Sequence, residues 1–208
     1  IYVDTLGTAT VNNAYIISSG PATTNGGSIY NKGTLTLNNV AIGASSATTN
    51  GGAIYNAGGT VNINRTTLRN NQAGQRGGGL YTSGGTVSVT NSTIGENRAP
   101  GGGGLFLNGG TTTILNATFG LNRANNGAAL WNFAGSASTK NSIFAQSLQL
   151  NGSPGTLNCD GSALTSQGRN VIDDGSCIGS SGSDLRNTDA RLGPLTANGG
   201  IGATFLPL

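Results

Sequence analysis

The side chains able to do chemistry are few, and their spacing limits what this chain can catalyse. Histidine is absent, so neither a Ser-His relay nor an imidazole-bound metal is available. Polysaccharide lyases and hydrolases need clustered acids, paired across a sugar or gathered around Ca²⁺. Between Thr5 and Asn158 the single carboxylate is Glu96. Asp173 and Asp174 are the one close acidic pair; neighbours on a strand point to opposite faces and would not converge on a sugar, and the pair reads as a solvated turn. No catalytic residue, metal ligand or cofactor site is expected. Cys159 and Cys177 are the only cysteines. The polar, glycine-rich sequence between them reads as a loop closed by one disulfide, which favours an oxidising compartment.

Composition narrows the classes further. Of 208 residues 37 are glycine and only 8% are charged. Glycine without a three-residue period excludes collagen, and regular Ile/Leu/Val columns argue against disorder. The net charge of +3, from 10 basic and 7 acidic residues, is spread thinly, so no nucleic-acid partner is expected. No apolar run approaches the roughly 18 residues of a membrane helix. Ile1-Tyr2-Val3 lacks the basic start and apolar middle of a signal peptide, so the numbering is expected to begin after processing or within a longer chain.

The element that must position all of this is a repeat. Asn25-Gly26-Gly27-Ser28-Ile29-Tyr30-Asn31 returns as Asn50-Gly51-Gly52-Ala53-Ile54-Tyr55-Asn56, and Ile29, Ile54, Leu80, Leu105 and Leu130 step by 25, 26, 25 and 25 residues. The aromatic position moves with it as Tyr30, Tyr55, Tyr81, Phe106 and Trp131, which predicts a ladder of stacked rings. A second segment, Gly59-Thr60-Val61-Asn62-Ile63 and its copies, alternates polar and apolar like a strand with one buried face. A third ends on Ile16, Ile42, Leu68, Ile94, Phe119 or Phe144. Asn71, Asn97 and Asn122 recur after it, and Asn39, Asn91, Asn116 and Asn141 form another line broken by Arg65. Asparagine suits both roles, bonding along a stack and accepting a left-handed corner.

These periods predict an all-β fold: a right-handed parallel β-helix of about six coils of 25–26 residues with three short strands per coil. Residues 1–150 are assigned to the repeats. Residues 151–208 are assigned to a loop-rich, disulfide-containing C-terminal region that packs on or extends the same helix, with Val171-Ile172 as a further strand.

At the level of motif, Gly-Gly-(Ala/Gly)-(Ile/Leu)-Tyr-Asn followed by segments such as Gly85-Thr86-Val87-Ser88-Val89-Thr90-Asn91-Ser92-Thr93-Ile94 resembles the pectate-lyase-like β-helices of bacterial surface proteins. Gly168-Arg169-Asn170-Val171-Ile172, Cys177, Leu192-Gly193-Pro194-Leu195 and Asn198-Gly199-Gly200 are similar to the choice-of-anchor Q domain. That resemblance implies a secreted or surface-attached β-helix, mostly without a demonstrated reaction. The family usually continues past the double glycine into a Gly-Ser-Pro-Ala-Ile-Asp segment, whereas this sequence ends Phe205-Leu206-Pro207-Leu208.

Three functional expectations follow, beside the alternative that the resemblance implies, a carbohydrate-binding or -degrading pectate-lyase-like protein. Thr8/Thr10, Thr34/Thr36, Thr60/Asn62, Thr86/Ser88, Thr111/Thr113 and Ser136/Ser138 would form outward columns like those of ice-binding β-helices. Asn151-Gly152-Ser153 is a glycosylation acceptor pattern in a loop. The preferred expectation concerns the ends of the stack, where open strands invite pairing. Ile1, Tyr2 and Val3 at one end, with Ile201, Phe205, Leu206 and Leu208 as a lid or a strand added to a neighbour, would join copies head to tail into a filament. The chain is then an extracellular, non-enzymatic structural protein or adhesin segment, its partner being itself, other surface components or a polysaccharide.

Overall fold

A computed structural model describes residues 1–17, 23–178, 182–197 and 201–207. The chain winds into a parallel β-solenoid, as the period requires. Tyr2 pairs with Tyr30, Tyr30 with Tyr55, Tyr55 with Tyr81, Tyr81 with Phe106 and Phe106 with Trp131, all in parallel register. The threonine strands stack alike: Thr8–Ile17 on Thr34–Gly43, then Thr60–Asn64, Thr86–Thr90 and the later halves of Leu105–Leu115 and Leu130–Lys140. The third line runs through Thr67–Arg69, Thr93–Gly95, Thr118–Gly120 and Ile143–Ala145. A fourth, shorter line joins Thr23–Asn25, Ser46–Asn50 and Gln72–Ala73, and single bridges continue it through Arg98, Arg123 and Leu148.

Alternation turns one residue in two inward. Ile29, Ile54, Leu80, Leu105 and Leu130 from the first line are fully buried, as are Leu37, Ile63, Val89 and Ile114 from the second and Ile42, Leu68, Ile94, Phe119 and Phe144 from the third. Each such side chain contributes about 1.5–3 kcal/mol on burial. Corners between strands need a left-handed residue, and the asparagine line supplies it: φ is 50° at Asn13, 55° at Asn39, 50° at Asn91, 52° at Asn116 and 51° at Asn141, with Arg65 at 46° in the same place.

The next corner is closed from inside. Asn71 Nδ2 donates to Asn97 Oδ1 at 2.9 Å and Asn97 Nδ2 to Asn122 Oδ1 at 3.1 Å. The same oxygens accept the main-chain N–H of Asn71 and Asn97, and each Nδ2 also donates to the carbonyl of Ile42, Leu68 or Ile94. A hydroxyl line does similar work one corner earlier, where Ser92 Oγ accepts from Thr66 N and Ser142 Oγ from Ala117 N.

Beyond Gln146, where the periodicity fades from the sequence, the coils continue. Cys159–Gly161 stacks on Leu130–Asn132, Thr165–Ser166 on Ser138–Thr139, Val171–Ile172 on Ile143–Phe144 and Leu185–Arg186 on Val171–Ile172. Cys159 stands in the inward column above Leu130 and is bonded to Cys177, with Cα atoms 4.7 Å apart.

Leu192–Ala197 and Ala203–Pro207 then form an antiparallel hairpin on the outer face of the third line. Gln146 Nε2 donates to Leu192 O at 3.0 Å and Thr67 Oγ1 to Ala203 O at 3.0 Å. Gly95 and Gly120 make the seat: a Cβ at Gly120 would lie 2.7 Å from the Phe205 ring, and one at Gly95 3.1 Å from Leu195.

The asparagine line should carry measurable stability. Asn97→Ala strands the Asn71 N–H in the interior, at about 1–3 kcal/mol, and removes the side-chain bond to the Leu68 carbonyl. Asn116→Gly keeps the corner's backbone freedom, loses only exposed contacts and should cost under about 1 kcal/mol. Denaturant unfolding followed by circular dichroism compares the two.

Candidate functional site

One repeated surface is the threonine face. Register places Thr8, Thr34, Thr60, Thr86, Thr111 and Ser136 in one outward column and Thr10, Thr36, Asn62, Ser88, Thr113 and Ser138 in the next. Strand pairing spaces successive members by about 4.8 Å. Neighbours in a column bond only weakly: Ser136 Oγ to Thr111 Oγ1 at 3.3 Å and Asn62 Nδ2 to Thr36 Oγ1 at 3.4 Å. Flanking it, Asn12, Asn38 and Asn64 are linked amide to amide.

The aromatic line forms the next face. Ring centres of Tyr2, Tyr30, Tyr55, Tyr81 and Phe106 follow at 5.6, 5.1, 4.9 and 5.4 Å, with planes within 22° of parallel. Trp131 breaks the series, standing at 68° to Phe106, and Phe133 stacks on Phe106 instead at 5.9 Å and 24°. Lys32 holds its ammonium 5.8 Å from the Tyr2 ring centre and 5.9 Å from that of Tyr30. Hydrogen bonding to Tyr2, with the charge of Tyr2 and Tyr30 behind it, holds Lys32 above its ordinary pKa. Burial pushes the Tyr55 hydroxyl up, reinforced by Tyr81 and Tyr30 and opposed by a hydrogen bond from Ser83.

Glu96 sits at a corner with φ 58°, on a shallow cleft of about 320 Å³ with Asn70, Arg98 and Arg123. Arg98 and Arg123 are bridge partners one coil apart, and Arg98 Nε also reaches Leu150 O at 3.5 Å. The cleft therefore holds one carboxylate among cations, not an acid pair. Asp173 and Asp174, expected as a solvated turn, instead converge on Asn158: Asp173 accepts from its side-chain amide and Asp174 from its main-chain N–H at 2.7 Å. Asp174 also caps Ser176, and Asp173 accepts the Gln146 N–H. Both are structural acceptors that fasten the coil closed by the disulfide. Sequence spacing hides this, because their partners lie 15 to 27 residues away in loops.

The residues assigned to end contacts separate into two groups. Ile1, Tyr2 and Val3 do form the first rung: the Ile1 amine donates to Ser28 O at 2.7 Å, Val3 is buried, and Tyr2 is 60% exposed. Ile201 and Phe205 do not lie at an end. Ile201 lines a small cleft beside Thr67 and Thr93, and Phe205 packs on Gly120, where the absence of a Cβ leaves room for its ring. Leu206 lies on the same strand; Leu208 falls outside the described residues. Asn151 is exposed in its loop, where its side-chain oxygen caps Ser153 N at 2.9 Å. Among the described residues no group of three or more His, Cys, Asp or Glu gathers to hold a metal, and no helix is long and apolar enough to cross a membrane.

Taken together, fold and surfaces define a parallel β-solenoid with one disulfide-closed coil. Set against family models, curated proteins and solved structures, the chain matches none of them.

The tyrosine ladder predicts an alkaline limit. The Tyr55 hydroxyl keeps its proton more tightly in the folded state than at the ordinary phenol value of 10.0, so its contribution is complete below that pH and is lost as pH rises through the higher folded value. The melting temperature should fall above pH about 10 in step with phenolate absorbance, and Tyr55→Phe should reduce the fall.

Proposed function

We propose that this chain is a non-enzymatic structural protein of the cell exterior, a rigid solenoid segment that associates end to end or forms part of an adhesin. The observation that carries the reading is the first coil. Strand Thr8–Ile17 is ten residues long and pairs, among the described residues, through one edge only. Its inward Ala9, Val11 and Ile16 are only partly covered by the core beneath, while Leu6, Tyr15 and Ile17 are 99, 62 and 68% exposed. Such an edge accepts another coil by the same register that joins every internal pair. The disulfide and the near absence of carboxylates from the coils agree with an oxidising exterior and a mechanical role. Sedimentation of the 208-residue chain over a wide concentration range tests the reading. The weight-average mass should rise with concentration, and Val11→Lys, which places a charge in the exposed core end, should keep the protein monomeric. A wild-type chain that stays monomeric throughout refutes end-to-end association.

A second reading rests on a separate observation, the in-register hydroxyl face. Two columns repeating at about 4.8 Å offer water a regular template close in scale to an ice surface. Ice-crystal faceting and thermal hysteresis would support it, and Thr60→Lys with Thr86→Lys, in the middle of the array, should abolish both. Unfaceted growth by the wild type would dismiss it.

A further inference from the structure

The break in the aromatic line is where a ligand can be held. Tyr30, Tyr55 and Tyr81 cover one another's faces, with centres 5.1 and 4.9 Å apart and planes within 22°. Phe106 is fully buried and Arg76 closes over it, the guanidinium carbon 5.0 Å from the ring centre. No flat surface is left on that stretch for a guest molecule. Phe133 then takes the stacking place next to Phe106, and Trp131, released from the ladder, turns to 68°. Two glycines give it room: a Cβ at Gly101 would stand 2.6 Å from the Trp131 benzo ring and one at Gly161 3.1 Å from Cδ1.

The turned indole forms one wall of an open cleft of about 320 Å³, the smaller end of the range for small-molecule sites. Its other walls come from three successive coils: Gln75 and Arg76, then Gly101, then Asn125 and Asn126. An aromatic plane beside primary amides and a guanidinium is the pairing that recognises a sugar ring, whose C–H face is apolar and whose rim is hydroxyl. The charges argue for an uncharged sugar. Arg76 keeps its charge while it stacks on Phe106 and Phe133, and the Asp160 carboxylate, which accepts from Asn126 Nδ2 at 2.9 Å, offsets it, so an acidic ring gains no net attraction. We propose that this cleft binds one pyranose unit of a neutral polysaccharide. The site is independent of end-to-end association and of the threonine face, so it stands or falls separately from them.

The chain contains a single tryptophan beside five tyrosines, so emission excited selectively at the indole reports on this cleft alone. The probes are neutral oligosaccharides of glucose, mannose, xylose and N-acetylglucosamine, with oligogalacturonate as the acidic comparison. At least one neutral probe should shift Trp131 emission saturably, at micromolar to millimolar concentration. Gln75→Ala with Asn125→Ala leaves the reporter ring and the core intact and should weaken that probe at least tenfold. Trp131→Ala should abolish retention on the matching insoluble polysaccharide while the β-sheet circular dichroism spectrum persists. Silence across the neutral panel overturns the proposal. So does a response to oligogalacturonate alone, or a neutral response unchanged in the Gln75/Asn125 variant.

Discussion

The constraint on which this structure depends is the one-coil offset of its backbone hydrogen bonds. Through the regular coils each strand bonds to the strand 25 or 26 residues away, so every side chain there shares its position with its counterpart in the next coil. Whatever stands at a position must therefore be compatible with a copy of itself about 4.8 Å away. Aliphatic residues meet that condition by packing and aromatic ones by stacking. Where the main chains of consecutive coils come closest, only glycine meets it. A Cβ at Gly59 would lie 2.3 Å from Gly33 O, and one at Gly85 2.1 Å from Gly59 O, so the column admits no side chain.

The same condition explains the choice of polar residue inside. An asparagine amide carries donor and acceptor in one rigid plane, so identical copies can bond in series, each giving to the next and receiving from the last. Aspartate, which only accepts when ionised, would place like charges one coil apart without a donor between them. Asn71, Asn97 and Asn122 thus satisfy their own amides and a set of main-chain groups that a strand-to-strand corner would otherwise leave unpaired. This is how a solenoid with short strands keeps polar groups buried without charge, and it fits a composition nearly free of carboxylates.

What could be read without coordinates follows from the same rule. Repetition is local information, so the strand lines, the inward columns such as Leu37, Ile63, Val89 and Ile114, and the asparagine ladders were all visible in the sequence. Non-repeating contacts were not. The continuation of the stack was legible only at Val171-Ile172; its rungs at Cys159 and Thr165 are hidden by loops that destroy the period while leaving the register intact. The seat of Phe205 on Gly120 joins residues 85 positions apart, and no spacing announces it. Asp173 and Asp174 read as a solvated turn, but both accept from Asn158, a partner 15 and 16 residues away that no spacing marks. In the sequence Trp131 reads as one more stacked ring, because Phe133, which takes the stacking place on Phe106, has no counterpart in the earlier coils.

Regularity and singularity therefore divide the surface by the kind of function each can serve. A partner that is itself periodic, such as a lattice or another open coil, is met by positions that repeat, and its grip grows with the number of coils presented. A partner recognised by one shape needs a place unlike all the others, and in a repeat protein that place exists only where the pattern fails. Glu96 between Arg98 and Arg123, the hairpin on its glycine seat, and the indole turned out of the ring stack are such failures. Of these, the hairpin is filled by the chain itself, and the arginine-lined cleft has no apolar wall to define a pose. Among the described residues the cleft at Trp131 joins a flat ring, polar groups from three coils and unfilled volume, and for that reason selective recognition is proposed there and not on the repeats.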